Sequence, residues 1–391
     1  MLGKRETEVV VVGAGPVGLF AALALKLAGI DVEVYDAGQR TAAHSYALVL
    51  HPGTLRLLDR YGLAKSCVEA GRVVTKLSVY EGASRTAELD FTRLSGPHAH
   101  VVILPQSHLE SILEKALEKS GVEVRWDHRV QGLESKPDGV KLTVARLDKV
   151  STGYPIAHTE VVVDKLFDVS AGYVLAADGY DSFVRRRLGI AYADQGKGQL
   201  YSVFQFATKG DVPEDGRLMV QKDRVGGYWP LSDGRCRFSF PIGAADEHRP
   251  DTARLNELLA SFAPWFGAES VGIEWTALGL FERKLATVFG EQRVWMAGDA
   301  AHLTGPLGGQ SMNVGLREAD DLTGRLVRTL RPGAPAGLLD EYNRSRAAEW
   351  RMLFGGDAGY GTRRALILPC LPASGEDLNA LLAQLNSDAR G

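Results

Sequence analysis

Residues 8–36 read EVVVVGAGPVGLFAALALKLAGIDVEVYD, and the order of residue types in that stretch decides the fold. Glu8 to Val12 is a β-branched run of the kind buried on both faces in a parallel sheet. Gly13 to Gly18 interrupts it. Leu19 to Ala28 contains helix formers throughout and stops at Gly29, a helix-ending residue. Asp31 to Tyr35 is a second strand ending at Asp36. A βαβ unit of about 30 residues, right-handed by rule, sets its two strands parallel.

Inside this unit Gly13-Ala14-Gly15-Pro16-Val17-Gly18 has the G-x-G-x-x-G form. Residues lacking a Cβ permit the tight turn and let backbone N–H groups approach a pyrophosphate at the positive end of the following helix. Asp36 stands where a carboxylate accepts from an adenosine ribose hydroxyl. A nicotinamide or a flavin dinucleotide satisfies this pattern equally well.

Two further aspartates bear on that choice. Asp178-Gly179 follows the buried strand Tyr173 to Ala177, and Gly298-Asp299 follows Arg293 to Ala297. Both place a carboxylate just past the carboxyl end of a strand, where ligands sit in open parallel sheets. A carboxylate there bonds a polyol chain, and glycine-rich 305–309 lets backbone approach a flat ring. The helix from Gln310 to Leu330 directs its positive end at that ring, which suits a reduced flavin, anionic on its pyrimidine side.

Composition narrows the remaining classes. The chain has 391 residues, 45% hydrophobic and 24% charged, with a formal charge of −3 and 44 glycines. Disordered and collagen-like classes are excluded, and the near-neutral charge argues against a nucleic-acid binder. Arg185-Arg186-Arg187 reads as a solvated helix face. Three widely spaced cysteines form neither a disulfide framework nor a CxxC site, consistent with a reducing, cytoplasmic setting. The uncharged run Val9 to Leu25 is short for a membrane span. Nine scattered histidines show no metal-ligand spacing. His302 reads as structural.

With these motifs in place, the sequence resembles the class A flavoprotein aromatic hydroxylases, whose type fold is p-hydroxybenzoate hydroxylase, over about residues 5–350. The resemblance implies an α/β protein. A discontinuous Rossmann-like FAD-binding domain (1–185 and 285–350, with 72–100 a candidate for the second domain) carries an inserted, mostly antiparallel substrate domain (186–284), and 351–391 forms a C-terminal helical segment.

The resemblance also implies non-covalent FAD held by Gly13, Gly15, Pro16, Val17, Gly18, Asp36, Ala37, Tyr46, Gln106, Val130, Asp178, Gly179, Asp299, Gly309, Ser311, Met312 and Asn313. Relatives carry an arginine near Tyr46, and a tyrosine cannot supply its forked charge. Pro306 matches the proline beside flavin and substrate. In the inserted sheet Tyr201, Tyr228, Trp229 and Phe238 are candidate substrate contacts, although by the period of two only about half of such aromatics face a pocket. No catalytic base is identified.

The implied activity is an FAD-dependent monooxygenase. NADPH or NADH reduces the flavin, O₂ adds to it as a C4a-hydroperoxide, and an aromatic or polyketide-like molecule is hydroxylated (or epoxidised or oxidatively rearranged), in a monomer or homodimer. The alternatives are a flavin reductase or dehydrogenase without oxygen insertion, and a flavin- or ligand-binding protein without chemistry.

Overall fold

The computed structural model describes residues 5–39, 47–152, 158–243, 250–354 and 362–388. The opening stretch forms the predicted unit. Strand Arg5–Val12, helix Pro16–Leu27 and strand Val32–Tyr35 follow one another, and the two strands run parallel, Val9 opposite Val32 and Val12 opposite Tyr35. Val9, Val10 and Val11 have no exposed surface. Burial of such side chains stabilises by roughly 1.5–3 kcal/mol each, which is why the run lies inside the sheet.

This sheet has eight strands. Its path runs Gly290–Glu291, Val294–Met296, His158–Ala176, Arg5–Val12, Val32–Tyr35, Val124–Arg125. Every pair from Val294–Met296 to Val124–Arg125 is parallel. Strands His128–Lys136, Gly139–Thr152 and His158–Ala176 pair antiparallel in chain order as a meander. The last of them is antiparallel to Gly139–Thr152 along one edge and continues parallel to Arg5–Val12, so one chain segment joins both halves of the sheet.

A second sheet of seven strands has the order Glu269–Phe281, Gln199–Lys209, Arg235–Ile242, Arg224–Pro230, Gly216–Gln221, Lys76–Glu81, Ser84–Asp90. Its one parallel pair is Gly216–Gln221 with Lys76–Glu81. Side chains alternate between its faces, and the faces enter different cores. Tyr201, Val203 and Trp229 join the main core shared with the parallel sheet. Phe204, Phe206, Tyr228, Phe238 and Phe240 pack with helix Thr252–Phe262.

Candidate active site

The glycines show how closely the motifs converge. Gly13 has φ +102°, and a Cβ there would lie 2.2 Å from the carbonyl oxygen of Ala177. The first turn therefore touches the strand end that precedes Asp178. A Cβ on Gly315 would lie 2.8 Å from Val17 Cγ2 and 3.0 Å from Gly298 Cα. Helix Gln310–Thr329, the turn at Gly298 and the first helix meet at one point, which only hydrogen at Gly315 permits.

Asp36 closes the first turn. Its carboxylate accepts from the N–H of Ala14 and of Gly38, each at 2.6 Å. Strand His128–Lys136 begins beside it, with His128 N–H donating to Asp36 O at 2.8 Å. Val130, two residues on, is buried, and Ala37 is exposed.

Asp178 accepts from Val184 N–H at 3.0 Å and so caps helix Phe183–Arg187, while its other oxygen, Oδ1, is buried without a partner. Burial pushes its carboxyl above the usual range. Asp299 is raised as well, by burial above all, with His302 and the Ser311 hydroxyl pulling the other way. The Arg185 charge pulls Asp178 the other way, but less than burial raises it.

Asp299 lines a cavity of about 480 Å³ with Gln106, Gly309, Ser311, Met312 and Pro306. The lining continues with Gly279, Leu280 and Phe281 from the edge strand of the second sheet, Glu282 just after it, and Tyr180 and Ala47. The first turn of helix Gln310–Thr329 supplies Ser311 and Met312, so its unpaired backbone N–H groups border the same space. The predicted Tyr46 lies outside the described residues.

Several predicted roles are corrected. Tyr228 and Phe238 have no exposed surface and sit in the core facing helix Thr252–Phe262. Tyr228 donates to Pro213 O at 2.8 Å, and neither residue lines the cavity. Tyr201 and Trp229 are on the cofactor-domain side, yet neither lines the cavity. Tyr201 donates to Val225 O at 3.1 Å and meets Phe281 edge-on. The Asn313 side chain is spent on protein: its amide donates to Val49 O and Gly309 O, both at 2.7 Å, and its oxygen accepts from His51 N–H at 2.9 Å. It holds the glycine turn in place.

Other residues escaped the sequence reading. Arg185 is buried, not solvated. It donates to Ala300 O at 2.8 Å and Tyr180 O at 2.9 Å, bridging the loops that follow the two aspartates. Behind Asp299, Glu318 accepts from Gly298 N–H at 3.0 Å, His302 Nε2 at 2.7 Å and Trp350 Nε1 at 2.6 Å. Burial alone would raise that carboxyl; His302 and these N–H donors hold it below its usual range. The sequence signal for His302 was its place directly after the aspartate motif.

The donor set fits a flavin dinucleotide. An orphaned buried carboxylate oxygen and a second raised carboxylate suit the hydroxyls of ribose and ribityl, and a helix amino end suits an electron-rich ring edge. A family model described as FAD binding domain matches residues 6–353. The chain belongs to this family, the FAD-dependent class A hydroxylases. Among relatives of this FAD-binding chain, rifampicin monooxygenase of Streptomyces venezuelae is 28% identical over 346 residues, covering 87% of this chain and 68% of that protein. Para-nitrophenol 4-monooxygenase of Pseudomonas sp. strain WBC-3 is 28% identical over 353 residues, covering 86% and 82%. The crystal structure of p-nitrophenol 4-monooxygenase PnpA from Pseudomonas putida DLL-E4 superposes with a TM-score of 0.76 at 23% identity, covering 99% of this chain and 98% of that one. The fold is therefore that of the p-hydroxybenzoate hydroxylase type.

Proposed function

We propose that this protein is an FAD-dependent monooxygenase that takes electrons from NADH or NADPH and inserts one oxygen atom of O₂ into an aromatic or polyketide-like molecule. The observation carrying this reading is a cavity lined both by Asp299, Ser311 and Met312 and by Gly279 to Phe281 of a separate sheet. Polar groups and apolar surface bordering one space suit a bound ring.

FAD, when bound, supplies the acceptance of hydride and the activation of oxygen. The chain's own residues do the rest. Asp36 holds the ribose end, with Gly13 to Gly18 and Val130 beside it. Asp178 and Asp299 would accept from the polyol hydroxyls, and Gln106, which lines the cavity, would border the ring. Gly309, Ser311 and Met312 aim the helix amino end at the ring's electron-rich edge, favouring negative charge there. Leu280, Phe281, Leu303 and Met312 line the cavity with apolar surface, which excludes water from the reacting atoms. Pro306 lines the cavity and would stand beside cofactor and substrate. In this reading the second sheet and its helix form the substrate domain.

The test is substrate-stimulated oxidation. FAD-loaded protein is mixed with NADH or NADPH, and consumption of nucleotide and O₂ is followed across single- and multi-ring phenols. The proposal expects at least one phenol to accelerate both together. Consumption unaffected by the whole panel contradicts it.

A further inference from the structure

The C-terminal segment was expected only to be helical. It also runs across the cofactor site. Gln310, the first residue of the long helix, is 1% exposed, and its side-chain amide donates to Leu371 O at 2.5 Å and Ala373 O at 2.7 Å. Next to it, a Cβ on Gly308 would lie 2.8 Å from Pro369 O and 3.0 Å from Leu371 O. The backbone of 369–373 therefore rests directly on the turn Gly308-Gly309-Gln310.

The same turn is held from its other side. His51 Nε2 donates to Gly308 O at 2.7 Å, and Asn313 ties Gly309 O to Val49 O. Among the described residues of this turn, Gln310 reaches the C-terminal side by its side chain. Beyond the turn, Asp377 pairs with Arg56, and helix Glu376–Asp388 ends its described contacts on the second sheet. There Gln384 accepts from Asp90 N–H at 2.8 Å and donates to Asp90 O at 3.0 Å. One strap, from Leu368 onward, thus touches the cofactor turn, the helix Pro52–Arg60 and the substrate-side sheet in succession.

We propose that the near end of this strap, Leu368 to Ala373, is part of the flavin-binding apparatus and that Gln310 is the positioning residue connecting the two. The inference rests on the FAD reading above. An amide whose two N–H groups are committed to carbonyls two residues apart fixes both the strap's height and the turn's orientation. The turn's orientation in turn sets where the unpaired N–H groups of Ser311 and Met312 point. A group bound on the turn and the strap behind it then stabilise one another, and that coupling is reciprocal.

Two measurements test this. In the first, hydrogen exchange of wild-type apoprotein is compared with and without added FAD. The strap's role predicts slowed exchange over 366–374 as well as over 305–312. Protection confined to 305–312 overturns it. In the second, FAD affinity is titrated by tryptophan fluorescence in wild type, Gln310→Leu and Gln384→Ala. Gln310→Leu is expected to weaken FAD on the order of tenfold, the effect of about 1.4 kcal/mol. Gln384→Ala loosens the strap's far end beyond the Arg56–Asp377 pair and is expected to lower the melting temperature with FAD affinity retained. Equal affinity in Gln310→Leu and wild type overturns the proposal. If Gln310→Leu does not fold, Gly308→Ala, whose added methyl pushes on Pro369 O, is read in its place with the same expectation. Wild type that takes up no FAD contradicts the underlying FAD reading instead, so the two failures are distinct.

Discussion

The guanidinium of Arg185 lies 3.8 Å from the ring centroid of Tyr192, and each of the two side chains holds one carbonyl of the Asp299–Ala300 turn. Arg185 donates to Ala300 O at 2.8 Å and the Tyr192 hydroxyl to Asp299 O at 3.0 Å. The pair clamps the turn carrying Asp299 to the loop carrying Asp178. Arg185→Met leaves two carbonyls without donors and removes the stacked charge. It is expected to cost on the order of 3 kcal/mol in stability and to weaken FAD, whereas Tyr192→Phe is expected to cost about 1 kcal/mol. Urea unfolding with a parallel FAD titration checks both. Unchanged FAD affinity in Arg185→Met would refute the clamp.

Asp299 gives a prediction with opposite signs in the two states of the protein. Its folded-state pKa is raised, chiefly by burial, so in apoprotein the ionised form is disfavoured. The stability it contributes is full below the unfolded carboxylate pKa and lost as pH rises through the folded value. Asp299→Asn removes the charge, so at neutral pH the apoprotein is expected to melt higher than wild type. The same change removes a strong acceptor for a hydroxyl, and FAD affinity is expected to fall about tenfold or more. Thermal melts with and without FAD should show the order of the two proteins reversing.

His51 carries the acid sensitivity of the glycine turn. It is fully buried, and burial above all lowers its pKa from 6.5 to about 3. Its folded value is depressed, so its share of stability is present above pH 6.5 and is lost as pH falls toward 3, at about 1.4 kcal/mol per pH unit. His51→Gln retains an N–H for Gly308 O and cannot titrate. Its unfolding free energy is expected to vary less steeply between pH 6 and pH 4 than wild type, as measured by denaturant titrations at each pH. Parallel slopes would show that another group governs this range.

Two positions of the second sheet, one buried and one at the cavity, predict a separation between stability and substrate binding. Phe238→Ala, in the core under helix Thr252–Phe262, is expected to cost about 3–5 kcal/mol. Leu280 is 63% exposed at the cavity rim; Leu280→Ala is expected to leave the melting temperature nearly unchanged and to alter KM for the best phenol by severalfold. A large stability loss with Leu280→Ala would place it in a core.

Much of this site is legible because its chemistry is local. Val9 to Val12, Gly13 to Gly18 and the three aspartates each sit in short patterns whose spacing fixes backbone geometry, and the fold follows from them. Which face of a strand meets a cavity is set by neighbouring strands, so the alternation at Tyr228-Trp229 was visible and its direction was not. Arg185 reads as solvated within its run of three arginines, because its carbonyl partners at Tyr180 and Ala300 are brought to it only by the folded loops. Asn313 follows the glycine turn like a ligand contact, but its partners Val49 and His51 lie more than 250 residues earlier in the chain. The strap carries no motif, and only its contact with Gln310 reveals it.

The central claim is oxygen insertion at a flavin held by three converging motifs. Its most direct measurement is product mass after turnover of FAD-loaded protein with NADH or NADPH and an accelerating phenol under ¹⁸O₂. The account predicts a product heavier by one labelled oxygen atom, with no label when ¹⁸O is supplied as water. Substrate turnover that yields a product free of the label under ¹⁸O₂ would contradict it.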